Sequence, residues 1–278
     1  MQLPFIKMHG LGNDFIVLDA PSRDGLPISA AQWRQLSDRH RGIGFDQALI
    51  LEPPRRDGTL AYYRIFNADG GEVEQCGNGV RCLAELLRQR GAARNGHLQL
   101  ESPAGIIAAE LGRPGTVAVD MGEPQFTPAA VAFDAQDQSG PRFHVDLPQG
   151  RVEFAIVSMG NPHAVIDVTA TATAPVAETG PLLESHPRFT RQVNVGFREI
   201  LGRNHLRLRV FERGVGETQA CGTGACAAAA AGILDGRLEQ HVQVDLQGGT
   251  LFIRWQGPGH HLWMEGPAEV SFSGHFDL

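Results

Sequence analysis

Arg64 to Gly79 reads RIFNADGGEVEQCGNG, and Arg209 to Gly224 reads RVFERGVGETQACGTG. The two segments align without a gap, and seven of sixteen positions are identical, among them Arg, Phe, the Gly-Glu pair and the Cys-Gly-x-Gly ending. Such a match within one chain is the mark of a duplicated structural unit, and it has to be read before any local pattern. Two weaker echoes follow the same order: Gly12-Asn13 against Gly160-Asn161, and Gly44-Phe45 against Gly196-Phe197. The chain therefore reads as two similar halves, with the Gly/Pro-rich stretch from Gly112 to Pro128 as the boundary.

Working outward from the repeat, short runs alternate apolar and polar residues between turn signals. They are Ala61 to Phe66, Thr116 to Asp120, His205 to Phe211 and Leu251 to Trp255, and they predict half-buried strands. Each Cys-Gly-x-Gly opens the one clearly helical segment of its half: Val80 to Arg90, stopped by Gly91, and Ala225 to Leu234, stopped near Gly236. The expected fold is α+β, with two pseudo-symmetric domains, each a mainly antiparallel, barrel-like sheet wrapped around a central helix. The halves are residues 1–120, carrying Cys76, and residues 121–267, carrying Cys221.

A cysteine placed just before a helix sits where several backbone N–H groups lack acceptors and the helix dipole is positive. Flanking glycines admit a ligand close to that backbone. The same geometry favours a thiolate and holds a carboxylate. A thiol with a pKa near 8.5 is only about 3% ionised at pH 7, and lowering the pKa to about 7 takes roughly 2 kcal/mol, which a helix terminus nearly supplies. Two such cysteines facing one α-carbon would let one thiolate remove a proton while the opposite thiol returns one to the other face. Cys82 and Cys226, inside the helices, read instead as small buried hydrophobes.

The motifs MHGLGNDF (8–15), GIGFDQ (42–47), YRIFNADG with QCGNGVRC (63–82), MGNPH (159–163), VNVGF (193–197) and FERGVGETQACGTGAC (211–226) together resemble the diaminopimelate epimerase family. That resemblance covers most of the chain. It implies an isomerase that interconverts LL- and meso-2,6-diaminopimelate, a step toward lysine and peptidoglycan precursors, with no cofactor: neither pyridoxal phosphate nor metal. Carried over by position, Cys76 and Cys221 are the acid and base, with His163 and Glu212 orienting or tuning them. Gly77, Asn78, Gly222 and Thr223 present helix-terminal amides to the reacting carboxylate. Asn13, Gln47, Asn67, Asn161, Asn194, Glu212 and Arg213 line the pocket for the distal amino-acid end, where a planar guanidinium suits a carboxylate. The family also implies that the tail 268–278 returns to the first half, and that the protein is a homodimer. Ala164 departs from the family, which often has a further cysteine there. The loops 127–150 and 169–187 read as variable connections.

Bulk properties narrow the classes. A formal charge of −7 leaves no basic stripe for nucleic acid. The start MQLPFIKMHGLGNDF has neither a long apolar core nor an Arg/Ser-rich character, and the run Ala225 to Leu234 is too short to cross a bilayer, so a cytoplasmic protein with no membrane partner is expected. Lys7 is the only lysine among the 24 basic residues, leaving a single candidate for any Schiff base. The spacings Cys76 to Cys82 and Cys221 to Cys226 fit neither a zinc knuckle nor a Cys-x-x-Cys redox pair. Two rival functions stay open: a proline or hydroxyproline racemase using opposed cysteines on a similar fold, and a non-catalytic thiol protein that binds a small molecule.

Overall fold

The computed structural model describes residues 2–73, 76–93 and 96–278. By contact the chain divides into two units, Met1–Asp120 with Glu265–Leu278, and Met121–Met264.

In the first unit, β1 (Gln2–Gly10) pairs antiparallel with β2 (Asn13–Asp19) and with the terminal strand Glu269–Asp277. Next, β2 runs parallel to β3 (Gln47–Glu52), and β3 antiparallel to β4 (Ala61–Asn67). The short β5 (Glu72–Val73) closes a hairpin on β4, which also pairs in parallel with β6 (His97–Ser102). From there β7 (Gly105–Leu111) and β8 (Thr116–Asp120) continue antiparallel. The helix α1 (Ala30–Ser37) links β2 to β3, and α2 (Gly77–Gln89) follows the hairpin. Ten consecutive residues of α2, Asn78 through Leu87, are buried, and the helix touches β1, β2, β7 and β8, so strands from both ends of the sheet close on it. The fully buried Arg81 of α2 donates through Nε to the Pro267 carbonyl at 3.2 Å, tying the returning segment to the helix.

The second unit repeats this order. Here β9 (Phe143–Leu147) precedes β10 (Gly150–Ser158), β11 (Pro162–Asp167), β12 (Asn194–Gly202) and β13 (His205–Glu212), then the hairpin strand β14 (Gly216–Thr218), β15 (His241–Leu246) and β16 (Gly249–Arg254). The pairings β11/β12 and β13/β15 are parallel and the others antiparallel, matching β2/β3 and β4/β6 of the first unit. The helix α3 (Val176–Glu184) links β11 to β12, and α4 (Gly222–Leu234) occupies the position of α2, its residues Gly224–Gly232 buried. Alanines at 227–231 keep α4 thin, so the sheet approaches closely. Arg198, fully buried on β12, donates to the Ala228 carbonyl of α4 at 2.7 Å and pairs with Asp167 at 2.8 Å.

Several sequence expectations need correction. The central helices begin at Gly77 and Gly222, three residues before Val80 and Ala225, so each Cys-Gly-x-Gly places its glycines inside the first turn and its cysteine at the N-cap. Each unit holds a second helix. The capping box of α1, in which Ser29 and Gln32 satisfy each other's backbone N–H, was legible as Ser-x-x-Gln. The stretch 169–187 contains α3, hidden because Gly180 and Pro181 sit inside it. The Gly44-Phe45 and Gly196-Phe197 echo is also not structural: Phe15 pairs with Gln47 and His163 with Asn194, which aligns Gln47 with Asn194 and shifts the two Gly-Phe pairs out of step. Among the described residues no helix is long and apolar enough to cross a membrane.

Gly180 shows why α3 tolerates a weak helix former. A Cβ there would lie 2.7 Å from the Phe211 ring, so the missing side chain is what lets α3 pack on β13. Gly180→Ala is expected to destabilise the protein by about 1–3 kcal/mol through overpacking, although alanine has the better helix propensity. Urea unfolding of the variant against the parent measures this, and a neutral or stabilising result would contradict the packing account.

Candidate active site

The repeated hairpins account for much of the duplicated sequence. Arg64 on β4 forms a two-pronged ion pair with Glu72 at 2.7 Å, and Arg209 on β13 forms the same pair with Glu217 at 2.6 and 2.9 Å. The conserved-in-repeat Arg and Glu are therefore hairpin clamps. They fix the turn from which the chain runs into each cysteine.

Cys76 and Cys221 occupy the N-cap positions of α2 and α4 with extended backbones, φ −147° and −113°. Their carbonyls accept the first helical bonds, from Val80 and Ala225, at 3.0 Å each. Neither side chain caps its helix, so both sulfurs are left for other partners near amides that have no helical acceptor. Cys76 is half-buried, Cys221 is 4% exposed, and none of the four cysteines is in a disulfide.

Beside each helix entrance lies one cross-strand row. Phe15, Gln47 and Asn67 are paired across β2, β3 and β4. The equivalent row in the second unit is His163, Asn194 and, one step along on β13, Glu212, which the register puts opposite Asn194. Each row is preceded by a turn glycine, Gly12 at φ +85° and Gly160 at φ +90°, a conformation that suits glycine and delivers Asn13 and Asn161 to the helix entrance. The register thus brings together Gln47 and Asn67 in the first unit, and His163, Asn194 and Glu212 in the second, five sequence-nominated residues none of which is adjacent to another in sequence.

In the first unit, the Asn13 Oδ1 accepts from the Asn78 Nδ2 at 3.1 Å and from the Cys76 thiol at 3.8 Å. Gln47 donates to the Asn67 Oδ1 at 2.8 Å. The Gln47 Oε1 and Asn78 Oδ1 are buried acceptors with no partner among the described residues, as expected of groups awaiting a donor. Lys7 is not poised as a nucleophile: it is buried, pairs with Asp14 at 2.6 Å and donates to the Gly44 carbonyl.

In the second unit, the Asn161 Nδ2 donates to the Thr223 hydroxyl at 3.2 Å, and that hydroxyl lies 3.7 Å from the Cys221 sulfur. Glu212 accepts a bond from Thr218, a residue that the sequence did not nominate. Asn194 is used for backbone: its Nδ2 donates to the Pro162 carbonyl at 3.0 Å and its Oδ1 accepts from the Arg213 N–H at 2.9 Å, fixing the turn that carries the exposed Arg213. Gly77 and Gly222 start their helices, so their amides stand in the first turn.

The electrostatics correct one expectation. Burial above all, then the Glu212 charge, push the Cys221 thiol well above its ordinary range, outweighing the Thr223 hydroxyl and the Gly224 N–H, which favour the thiolate. A helix terminus alone does not ionise this cysteine. Cys82, inside α2, is pushed up to about 12 by burial, as befits an inert thiol. Burial, with a smaller contribution from Arg213, lowers the His163 pKa to about 3, so the imidazole is neutral, and it shares a 3.0 Å bond with the Asn161 Oδ1.

This architecture, a sheet-wrapped central helix twice over, is an α+β two-domain fold shared with solved structures. A hydroxyproline epimerase from Agrobacterium vitis, solved with trans-4-hydroxy-L-proline bound, shares the fold with a TM-score of 0.68 at 17% identity, over 99% of this chain and 92% of that one. Sequence is more specific. Residues 5–127 and 155–271 match the family described as diaminopimelate epimerase. The diaminopimelate epimerase of Nitrosomonas europaea is 50% identical over 278 residues, covering 100% of both chains, and that of Halorhodospira halophila is 52% identical over 274 residues, covering 99% of this chain and 95% of the relative. The chain belongs to the diaminopimelate epimerase family.

The depressed His163 pKa has a consequence for stability. An unfolded histidine titrates near 6.5 and the folded one near 3, so between these values the unfolded chain holds one more proton. Its stabilisation is complete above pH 6.5 and is lost as pH falls toward 3, at about 1.4 kcal/mol per pH unit. His163→Phe, which installs the residue found at the equivalent Phe15, is expected to flatten that acid slope by about this amount. Urea titrations at pH 6, 5 and 4 measure it, and an unchanged slope would place the acid sensitivity elsewhere.

Proposed function

We propose that this protein interconverts LL- and meso-2,6-diaminopimelate by proton transfer at one α-carbon, with Cys76 and Cys221 as the two bases. The observation that carries the reading is the matched pair of N-cap cysteines, each following an ion-paired hairpin and neither making a side-chain cap hydrogen bond. One sulfur takes the α-proton as the other delivers its own to the opposite face, so configuration inverts and the two thiols exchange roles when the reaction runs backward. The amides of Gly77, Asn78, Gly222 and Thr223 suit the carboxylate of the reacting centre, because helix-terminal N–H groups point at an anion with the dipole in its favour.

At the distal end, the proposed partners divide by chemistry. Arg213 offers a planar donor pair to the carboxylate, and Asn67, Gln47 and Glu212 offer acceptors to the ammonium. Asn13, Asn161 and Asn194 hold these groups in place, while the neutral His163 and the charged Glu212 set the proton affinity of the sulfurs. No pyridoxal phosphate or metal enters this scheme, and the engagement of Lys7 by Asp14 supports it. The family resemblance further implies a cytoplasmic homodimer, and the net charge of −7 argues against a nucleic-acid partner.

The test is exchange in deuterated water with LL-diaminopimelate and, in parallel, L-proline. Deuterium should enter diaminopimelate at one α-carbon as the meso form appears, and proline should remain unlabelled. Cys76→Ala and Cys221→Ala should each reduce turnover by at least about a thousandfold while circular dichroism stays native. Label in proline alone would move the protein to the racemase reading, and substantial turnover by either variant would eliminate the two-base scheme.

A further inference from the structure

The geometry points to Asp46 as a positioning residue that, by fixing the rotation of the Asn13 amide, holds the proton on Cys76. The inference rests on the proposed role of Cys76 as a reacting thiol and adds how its protonation state is set.

An asparagine amide has one accepting end and one donating end, and the two are interchanged by a half-turn about the Cβ–Cγ bond. A carboxylate only accepts. The Asp46 Oδ2 lies 3.0 Å from the Asn13 Nδ2, so the donating end of Asn13 must face Asp46 and the carbonyl end must face the helix entrance. There it meets two donors, the Asn78 Nδ2 at 3.1 Å and the Cys76 thiol at 3.8 Å. An acceptor aimed at a thiol bonds the neutral form and has nothing to offer the thiolate except repulsion.

Asp46 is itself held in a four-member charge network. Its Oδ2 also accepts from the Asp14 N–H at 3.1 Å, and its Oδ1 takes the Arg39 guanidinium at 2.8 Å. Arg39 in turn clasps both oxygens of Asp14 at 2.8 and 2.9 Å, and Lys7 closes the set on Asp14 at 2.6 Å. Two cations and two carboxylates compensate one another. The network therefore exerts its effect at the sulfur mainly by the orientation it imposes on Asn13. The second unit has no counterpart: Asn161 is followed by Pro162 where Asn13 is followed by Asp14, and the Asn161 amide presents its donating end to Thr223 at the Cys221 side. The two halves thus turn opposite ends of equivalent asparagines toward the second residue of their helices, the accepting end to Asn78 and the donating end to Thr223.

The experiment reads the thiol directly. Iodoacetamide alkylation of each cysteine is followed by mass mapping from pH 6 to 10, giving an apparent pKa for Cys76 with Cys221 as the control within the same sample. Asp46→Ala frees the amide to turn, and Asn13→Leu removes it; each is expected to lower the Cys76 value by about half a pH unit or more and to leave Cys221 unchanged. In the double variant the two changes should not add. If Asp46→Ala still shifts Cys76 by the same amount in the Asn13→Leu background, the effect is the field of the lost charge and the positioning role is overturned. An unchanged Cys76 value in Asn13→Leu alone overturns it as well, and that variant decides the matter if Asp46→Ala does not fold. Because alkylation needs no turnover, absence of epimerase activity would count against the proposed function and leave this inference standing.

Discussion

Burial of a helix on nearly every side is the constraint from which the rest of this structure follows. With Asn78 through Leu87 of α2 and Gly224 through Gly232 of α4 enclosed by sheet, the backbone of each helix is reachable only at its ends. At the N-terminal end the amides lack acceptors and the dipole is positive, so whatever residue caps the helix stands beside an anion site. Cysteine is a poor cap in the ordinary sense. A serine or aspartate would turn its oxygen squarely back onto the first-turn amides, whereas neither cysteine makes such a cap and only the Gly224 N–H favours the Cys221 sulfur. Helix stability is given up in exchange for a sulfur directed elsewhere, and the clamped hairpins and enveloping sheet supply the stability that the missing cap does not.

The duplication is faithful in backbone and unfaithful in polarity. Strand order, the two parallel pairings and the hairpin ion pair recur in both units. Side chains in equivalent places do not. Phe15 becomes His163, Gln47 becomes Asn194, and Asn67 becomes Glu212, so the first unit offers neutral acceptors where the second offers an imidazole and a carboxylate. A racemase for a substrate with identical environments on both faces would have no need of such divergence. On the proposed function a substrate with a second amino-acid end needs partners that tell ammonium from carboxylate, and the differing side chains of the two rows suit that need.

Much of this was legible in the sequence, and the failures are instructive. The repeat located both cysteines and both central helices because identity at Arg, Gly-Glu and Cys-Gly-x-Gly reports constraints that are local: a hairpin clamp and a helix entrance within sixteen residues. The Gly-Phe echo misled because Gly44-Phe45 precedes β3 while Gly196-Phe197 lies inside β12, and only sheet register shows that Gln47 and Asn194 are the equivalent pair. The helix α3 was obscured by Gly180 and Pro181, and the presence of Gly180 answers to the Phe211 ring and not to helix propensity. Asp14 and Asp46 lay inside the recognised motifs MHGLGNDF and GIGFDQ, but their work is done on other side chains, and no spacing rule connects residue 46 to residue 13 across a parallel strand pair.

The largest disagreement between local reasoning and structure concerns the sulfurs themselves. Helix-terminal amides favour a thiolate, yet at Cys221 burial and the Glu212 charge prevail. At Cys76 the contact with Asn13 is likewise one that a thiol makes and a thiolate does not. On the two-base reading proposed above, Cys221 holds its proton until a nearby positive charge favours the thiolate. A zwitterionic amino acid carries the means: its ammonium, set near a sulfur, offsets the cost of a buried negative charge, since an isolated buried anion is disfavoured and a paired one much less so. A thiolate that exists only in the presence of its substrate is also protected from oxidation and stray alkylation for the rest of the time, because reactivity follows the ionised form. On that proposed reading the raised proton affinity of Cys221 belongs to the resting enzyme, and the helix amides would act on the substrate carboxylate.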